Sequence, residues 1–267
     1  MSKRKLLTKG VVLGLLCAMN LACIEPNNAM ASSAPSNTTY EEYTSMDMAS
    51  AEAFLREDLD QKTTDMILSN LSIAEVKFIQ DVETIKEKNK DKSVDEIVNL
   101  IDWDNFARTQ PKIYGFSSGS LVDEFNNLTP TEKTLVVLYP KEALIVKSCA
   151  EETDTWTNKY FRGWKDGDKG NAYRHAFWNA RMKLVFNSGA NAKIWADAHE
   201  AWPDSELDGK SWNGFTAYQH RDMDYHNNEQ GRDCIEWYEL DPFISNSTVH
   251  DRIMAKINNN EMMILVK

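Results

Sequence analysis

No stretch of this chain is apolar for long enough to cross a bilayer, which takes about 20 residues. The apolar run from Val11 to Ala18 falls well short, so no transmembrane segment is expected. Basic residues are scarce: 30 Lys and Arg stand against 41 Asp and Glu, a formal charge of −11. A surface of that sign repels phosphate backbones and anionic headgroups, which argues against nucleic-acid binding over the whole surface. Cysteine is scarce too, with four in 267 residues. Neither their spacing nor a neighbouring histidine describes a thiol nucleophile or a zinc cluster. No internal repeat occurs, and no strand pattern is long enough to build a sheet. Only LVVLY at 135–139 and MMILVK at the end are ambiguous by periodicity. What remains is helical, and the expected fold class is mostly α: a C-terminal helical domain preceded by an N-terminal helical region.

The first 31 residues read as a targeting segment. Lys3, Arg4, Lys5 and Lys9 make a basic start, an apolar core follows, and Ala29-Met30-Ala31 has the small-x-small form that signal peptidase accepts. This predicts export to the extracellular side with cleavage after Ala31. Leu21-Ala22-Cys23 offers a rival end, that of a lipoprotein signal with a lipid anchor on Cys23, although Asn20 stands where that pattern prefers an aliphatic residue. Cleavage after Ala31 removes four basic residues and one acid, Glu25, leaving 26 against 40 and a formal charge of −14. It also leaves only Cys149 and Cys234. In an oxidising compartment these two either form a disulfide or stay as buried thiols.

Residues 32–39 are small and polar, a flexible leader. Residues 40–127 read as the N-terminal helical region. Ser72-x-x-Glu75 and Ser93-x-x-Glu96 are capping boxes, Val76, Ile79, Val82 and Ile85 recur along one face, and Pro111, Gly115 and Gly119 mark a loop. No residue cluster there points to chemistry. The C-terminal domain is expected at 128–245, with a tail at 246–267. Thr129-Pro130-Thr131-Glu132 is a helix start, with Thr129 as cap, Pro130 in the first turn and Glu132 closing the box. Gly163, Gly167 and Gly170 form the loop before the central helix, which Gly189 should end. Asp166, Asp168 and Asn171 have the opening spacing of a calcium loop but lack its closing Glu. A third helical segment should run from Ala217 to about Leu240, stopped by Asp241-Pro242.

The chain is organised around Asn171 to Met182, NAYRHAFWNARM. On a helix Asn171, His175 and Asn179 fall in one polar line, and Ala172, Ala176 and Ala180 fall beside it, where small side chains admit another helix. Phe177, Trp178 and Met182 supply bulk for a core. A buried polar line must find partners. The candidates are NAKIWADAHEAW, carrying His199-Glu200, and HRDMDYHNNEQGR, carrying Asp224, Asn227, Asn228 and Arg232.

The combined pattern N-A-x-R-H-A-x-W-N-A, then H-E, then M-D-x-x-N-N-x-x-G-R resembles an uncharacterised bacterial domain found in secreted and toxin-like proteins, over roughly residues 128–240. That resemblance implies no reaction. The residue types do. An imidazole and carboxylates from separate helices are common ligands for zinc or manganese. Thus His175, His199, Glu200 and Asp224 are candidate ligands of a divalent metal in a hydrolase. His175, Glu200 and Arg174 are the candidate catalytic groups. Asn171, Asn179, Asn227, Asn228 and Arg232 are candidate supports for the ligands. Arg174-His175-Ala176-Phe177 also resembles the R-H-D-F run of bacterial phospholipases A2, with Ala176 in place of the calcium-binding Asp. The non-catalytic reading is a structural or binding module in which the same groups form a buried polar network.

Overall fold

The computed structural model describes residues 73–101, 103, 128–241 and 243–266. The expected targeting segment with Cys23, the leader expected at 32–39, the helices expected from residue 40 to Ser72, the loop expected at 104–120 and Pro242 lie outside the described residues. All described residues belong to one compact unit, Asn37–Lys267. Among them the chain is mostly helical. In order come α1 (Ile73–Lys88), α2 (Val94–Leu100), α3 (Pro130–Leu138), α4 (Pro140–Tyr160), α5 (Lys169–Phe186), α6 (Gly189–Glu200) and α7 (Asp204–Leu207). A minimal antiparallel hairpin of β1 (Ser211–Trp212) and β2 (Phe215–Thr216) leads into α8 (Ala217–Asp233), and α9 (Asn246–Asn258) follows.

Local chemistry sets these ends. Ser93 and Thr129 both sit in complete capping boxes, with Glu96 and Glu132 reaching back. Thr216 and Gln219 close a third box at the start of α8. The LVVL run is helix, since Leu135 to Leu138 finish α3. The face of α1 is narrower than an every-third-residue pattern implies. Phe78 and Val82 are buried while Val76 is exposed, because a period of three drifts against 3.6 residues per turn. Asp168 is the N-cap of α5, its carboxylate accepting from the amides of Gly170 and Asn171. Lys165 N donates to the second oxygen, so this side chain is spent on backbone rather than free for calcium. Asn187, in the left-handed region at φ 51°, ends α5, and Gly189 begins α6 instead of closing its predecessor.

The third motif helix stops at Asp233, short of Leu240. Basic side chains take over the carbonyls that a longer helix would use. Lys183 Nζ donates to the carbonyls of Arg232 and Ile235, and Arg252 donates to that of Cys234. Ile235 then turns inward while Trp237 and Tyr238 face solvent.

Two apolar clusters flank α5. One gathers α1 to α4 and α6 against Trp178, Met182, Val185 and Phe186. The other gathers Met223 of α8, Ile235, and Val249, Ile253 and Ile257 of α9 against Ala172, Tyr173, Ala176, Phe177 and Ala180. A helix covered on all sides is a core helix, and α5 is the one around which the others pack. Its most extensive neighbour is α8.

The two cysteines fall on opposite sides of this arrangement. Cys149 belongs to the first cluster and Cys234 to the second, and both are free, buried thiols. The disulfide is therefore a correction: α5 and its packing stand between partners that a bond needs at about 5.5–6 Å between Cα atoms. Burial lifts both thiols, Cys149 to about 12 and Cys234 to about 11, which makes them inert. We expect neither to react with an alkylating reagent in the folded chain. Both should react after denaturation without reductant, as read by peptide mass spectrometry. A Cys149–Cys234 linked peptide would contradict this.

Candidate functional site

Three helices meet at His175. Its residue neighbour Ala176 lies at the crossing of α5 and α8, where Gly231 approaches so closely that an added Cβ would sit 2.1 Å from the Ala176 carbonyl oxygen. That contact brings the polar line of α5 against the motif residues of α8. Nε2 of His175 lies 3.3 Å from Asp224 Oδ1, and Nδ1 lies 3.4 Å from Glu200 Oε1 of α6. One ligand atom from each of His175, Glu200 and Asp224 lies within 4.8 Å of the others. His175 and Glu200 are buried and Asp224 nearly so.

A chain of amides and one guanidinium supports the group from behind. Arg232 Nη1 donates to Asn179 Oδ1 at 2.6 Å, and Asn179 Nδ2 donates to Asn228 Oδ1 at 2.7 Å. Asn228 Oδ1 lies 3.2 Å from His175 Nδ1, and Asn228 Nδ2 donates to Glu200 at 3.4 Å. The positions of Asn179, Asn228 and Arg232 are thus linked to the imidazole and one carboxylate. Asn171 and Asn227 serve elsewhere. Asn171 Oδ1 accepts from Gly167 N. Asn227 makes a two-point contact with Met263, donating to its carbonyl and accepting from its amide. Both therefore fix backbone, the first in the loop before α5 and the second in the C-terminal segment.

His199 stands outside the triad. Its Nδ1 is paired with Glu132 Oε1 at 2.8 Å, and its ring centre is 6.4 Å from that of His175. Its side chain is 38 % exposed, the most open of these groups. Glu132 escaped sequence reasoning in this role. Its capping box was legible, and Oε2 indeed accepts from Thr129 N, but nothing in the spacing marks the second oxygen. Asp154 was missed as well. It accepts from Arg174 Nε at 2.8 Å, while the Arg174 guanidinium lies over Trp164. Arg174 is half-buried at the edge of the cluster.

The electrostatics follow from burial. Burial holds the His175 imidazole well below its ordinary value, with Arg174 and His199 adding to the effect. It is therefore neutral at pH 7, the form that binds a cation. Burial raises Glu200. Burial first, and the Glu200 charge second, push Asp224 up to about 9. For His199 burial acts downward, but the Glu132 carboxylate outweighs it and carries the group up to about 9.

Hydrogen-bond accounting exposes a mismatch. A neutral imidazole has one N–H, yet both ring nitrogens of His175 face oxygens. Asp224 Oδ1 is buried and has no hydrogen-bond donor. A buried acceptor facing an acceptor needs a proton or a cation between them. One imidazole and two carboxylates, converging from three helices, suit a divalent ion such as zinc or manganese. The donor set fits.

A family model described as a domain of unknown function (DUF6973) matches residues 133–261. It covers all three motif segments and reaches through α9, further than the motifs alone. The match is consistent with the resemblance to an uncharacterised domain. No curated protein and no solved structure matches the chain.

Proposed function

We propose that the protein is a hydrolase that uses a divalent metal held by His175, Glu200 and Asp224. The observation that carries this reading is the buried triad with its unsatisfied Asp224 oxygen. An ion held there supplies Lewis acidity, polarising a carbonyl or phosphoryl oxygen and acidifying water. The protein's own groups supply the rest. Asn228 and Asn179 fix the His175 ring, with Arg232 locking the amides in register. The His199–Glu132 pair, oriented through Nδ1 and partly open to solvent, is placed to hold a proton for a leaving group at the other nitrogen. Arg174 at the edge gives an anionic substrate a positive partner. His199 is here a proton carrier, not a ligand.

The competing reading is a non-catalytic module. The unbroken run from Arg232 through both asparagines to His175 and Glu200 favours it, because such a network can specify a core without chemistry. The phospholipase reading gains nothing. Ala176 stands where that family has its calcium ligand, and the backbone of α8 closes over it.

Equilibrium dialysis against zinc and manganese separates the two remaining readings. The hydrolase reading expects one ion per chain, lost in His175→Ala while the far-ultraviolet spectrum stays helical. A folded wild-type chain that retains neither ion would overturn it. We further propose export with cleavage after Ala31, leaving a helical domain over 128–245. The mass of the mature N-terminus tests this, and a lipid on Cys23 would replace it.

A further inference from the structure

The connector between α8 and α9 is built in a costly way. Trp237 is 84 % exposed, Tyr238 64 % and Phe243 82 %. Large aromatics so open are the exception on a soluble surface, and three within one short connector call for a reason. The connector is also held rigidly. Glu239 accepts both guanidinium nitrogens of Arg252 at 2.6 and 2.7 Å. Its own Oε2 also accepts from Glu236 N, closing a turn around Trp237 and Tyr238. Lys183 takes the Ile235 carbonyl, Arg181 pairs with Asp241 at 2.8 Å, and Asp241 N donates to Leu184 O. Ile235 is buried in the second cluster beneath. The rings are thus presented outward from a frame that does not let them fold back. The Trp237 and Tyr238 rings meet edge-on with centres 5.6 Å apart.

We propose that this connector docks the protein on a zwitterionic, choline-bearing lipid surface. Trp and Tyr suit the interface because each has an apolar body and a polar tip. Their faces also attract quaternary ammonium groups. The exposed acids Asp233 and Glu236 neighbour the rings in sequence, the frame's cations are turned to partners of their own, Arg252 to Glu239, Arg181 to Asp241 and Lys183 to the Arg232 and Ile235 carbonyls, and the whole chain carries −11. The same charge repels anionic headgroups, so the preference is for neutral over acidic membranes. Rigid presentation lowers the ordering cost of docking. This proposal is independent of the metal reading.

Vesicle flotation tests it. Wild-type protein should float with phosphatidylcholine vesicles, and binding should fall when phosphatidylglycerol is added. It should also persist at high salt, because screening does not weaken apolar contact. The triple variant Trp237→Ala, Tyr238→Ala, Phe243→Ala should lose more than about tenfold in partitioning, with an unchanged far-ultraviolet spectrum. Trp202→Ala, which removes an exposed Trp outside the connector, should bind as wild type. No flotation with phosphatidylcholine, stronger binding to acidic vesicles, or equal binding by the triple variant would each overturn the proposal. So would a concentration-dependent dimer in sedimentation that the triple variant abolishes, since the rings would then cover a second copy.

Discussion

Gly231→Ala should destabilise the folded protein by about 3 kcal/mol or more and abolish metal retention. Helix propensity alone predicts the opposite sign, a gain of about 1 kcal/mol for replacing a mid-helix glycine. Geometry decides between them. The added Cβ would lie 2.1 Å from the Ala176 carbonyl oxygen and 2.6 Å from its carbon and Cα. Those are backbone atoms of a helix packed on every side, so no rotamer change relieves the clash. The helices α5 and α8 must separate. Any separation also pulls apart the links that cross the same interface, from Arg232 to Asn179 and from Asn228 to His175. For a domain of this size the expected drop in Tm is on the order of 10 °C. Gly189→Ala provides the control. Its Cβ would meet only Lys183 methylenes at 3.7 Å, so stability should hold or rise slightly. A Gly231→Ala chain as stable as wild type would mean that the close crossing does not hold the site together.

That crossing also shows what a sequence carries and what it does not. Asn171, His175 and Asn179 at four-residue spacing, with alanines alongside, announced a buried helix that another helix approaches. Gly231 inside a polar helix hinted at the point of contact. Those signals are periodic, so they are local. The pairing of His175 with Glu200 and Asp224 was reachable because all three sit within recognisable segments. His199 was harder. Its position next to Glu200 suggested a shared task, but neighbours on a helix point about 100° apart, and its imidazole meets Glu132 from α3 instead. Glu132 offers two oxygens and the sequence motif explains one. The supporting roles divided for a similar reason. Asn227 and Asn228 are adjacent, so one faces the site and the other faces the C-terminal backbone. The disulfide failed because cysteine counting ignores that a core helix separates the partners. The end of α8 was set by Lys183 and Arg252, residues far along the chain that no local pattern brings to its last carbonyls.

Asp224→Asn gives the sharpest separation of a metal centre from a structural network, because only a metal centre lets added ions favour wild type over the variant. In the metal-free chain the folded value of Asp224 is raised to about 9, against an unfolded value of about 3.9. A raised group contributes stability that is fully present below its unfolded value and is lost as pH rises through its folded value. Metal-free wild type should therefore lose stability steadily from about pH 4 to about pH 9. The amide of the variant would not titrate, so the substitution should flatten that slope. At pH 8 the variant should be the more stable of the two. Zinc or manganese should then shift the balance back towards wild type. At one hundred times its dissociation constant a bound ion adds about 2.7 kcal/mol to wild type, and the variant, short of a ligand, gains little. Because the ion displaces the proton from Asp224, its affinity for wild type should rise over the same pH range. Denaturant melts at pH 5 and pH 8, each with and without metal, read out all four states. A network without a metal predicts the same metal-free slopes but a wild type indifferent to added ions. That pattern would reassign Asp224 from ligand to structural acid and leave His175 as a core histidine held by Asn228.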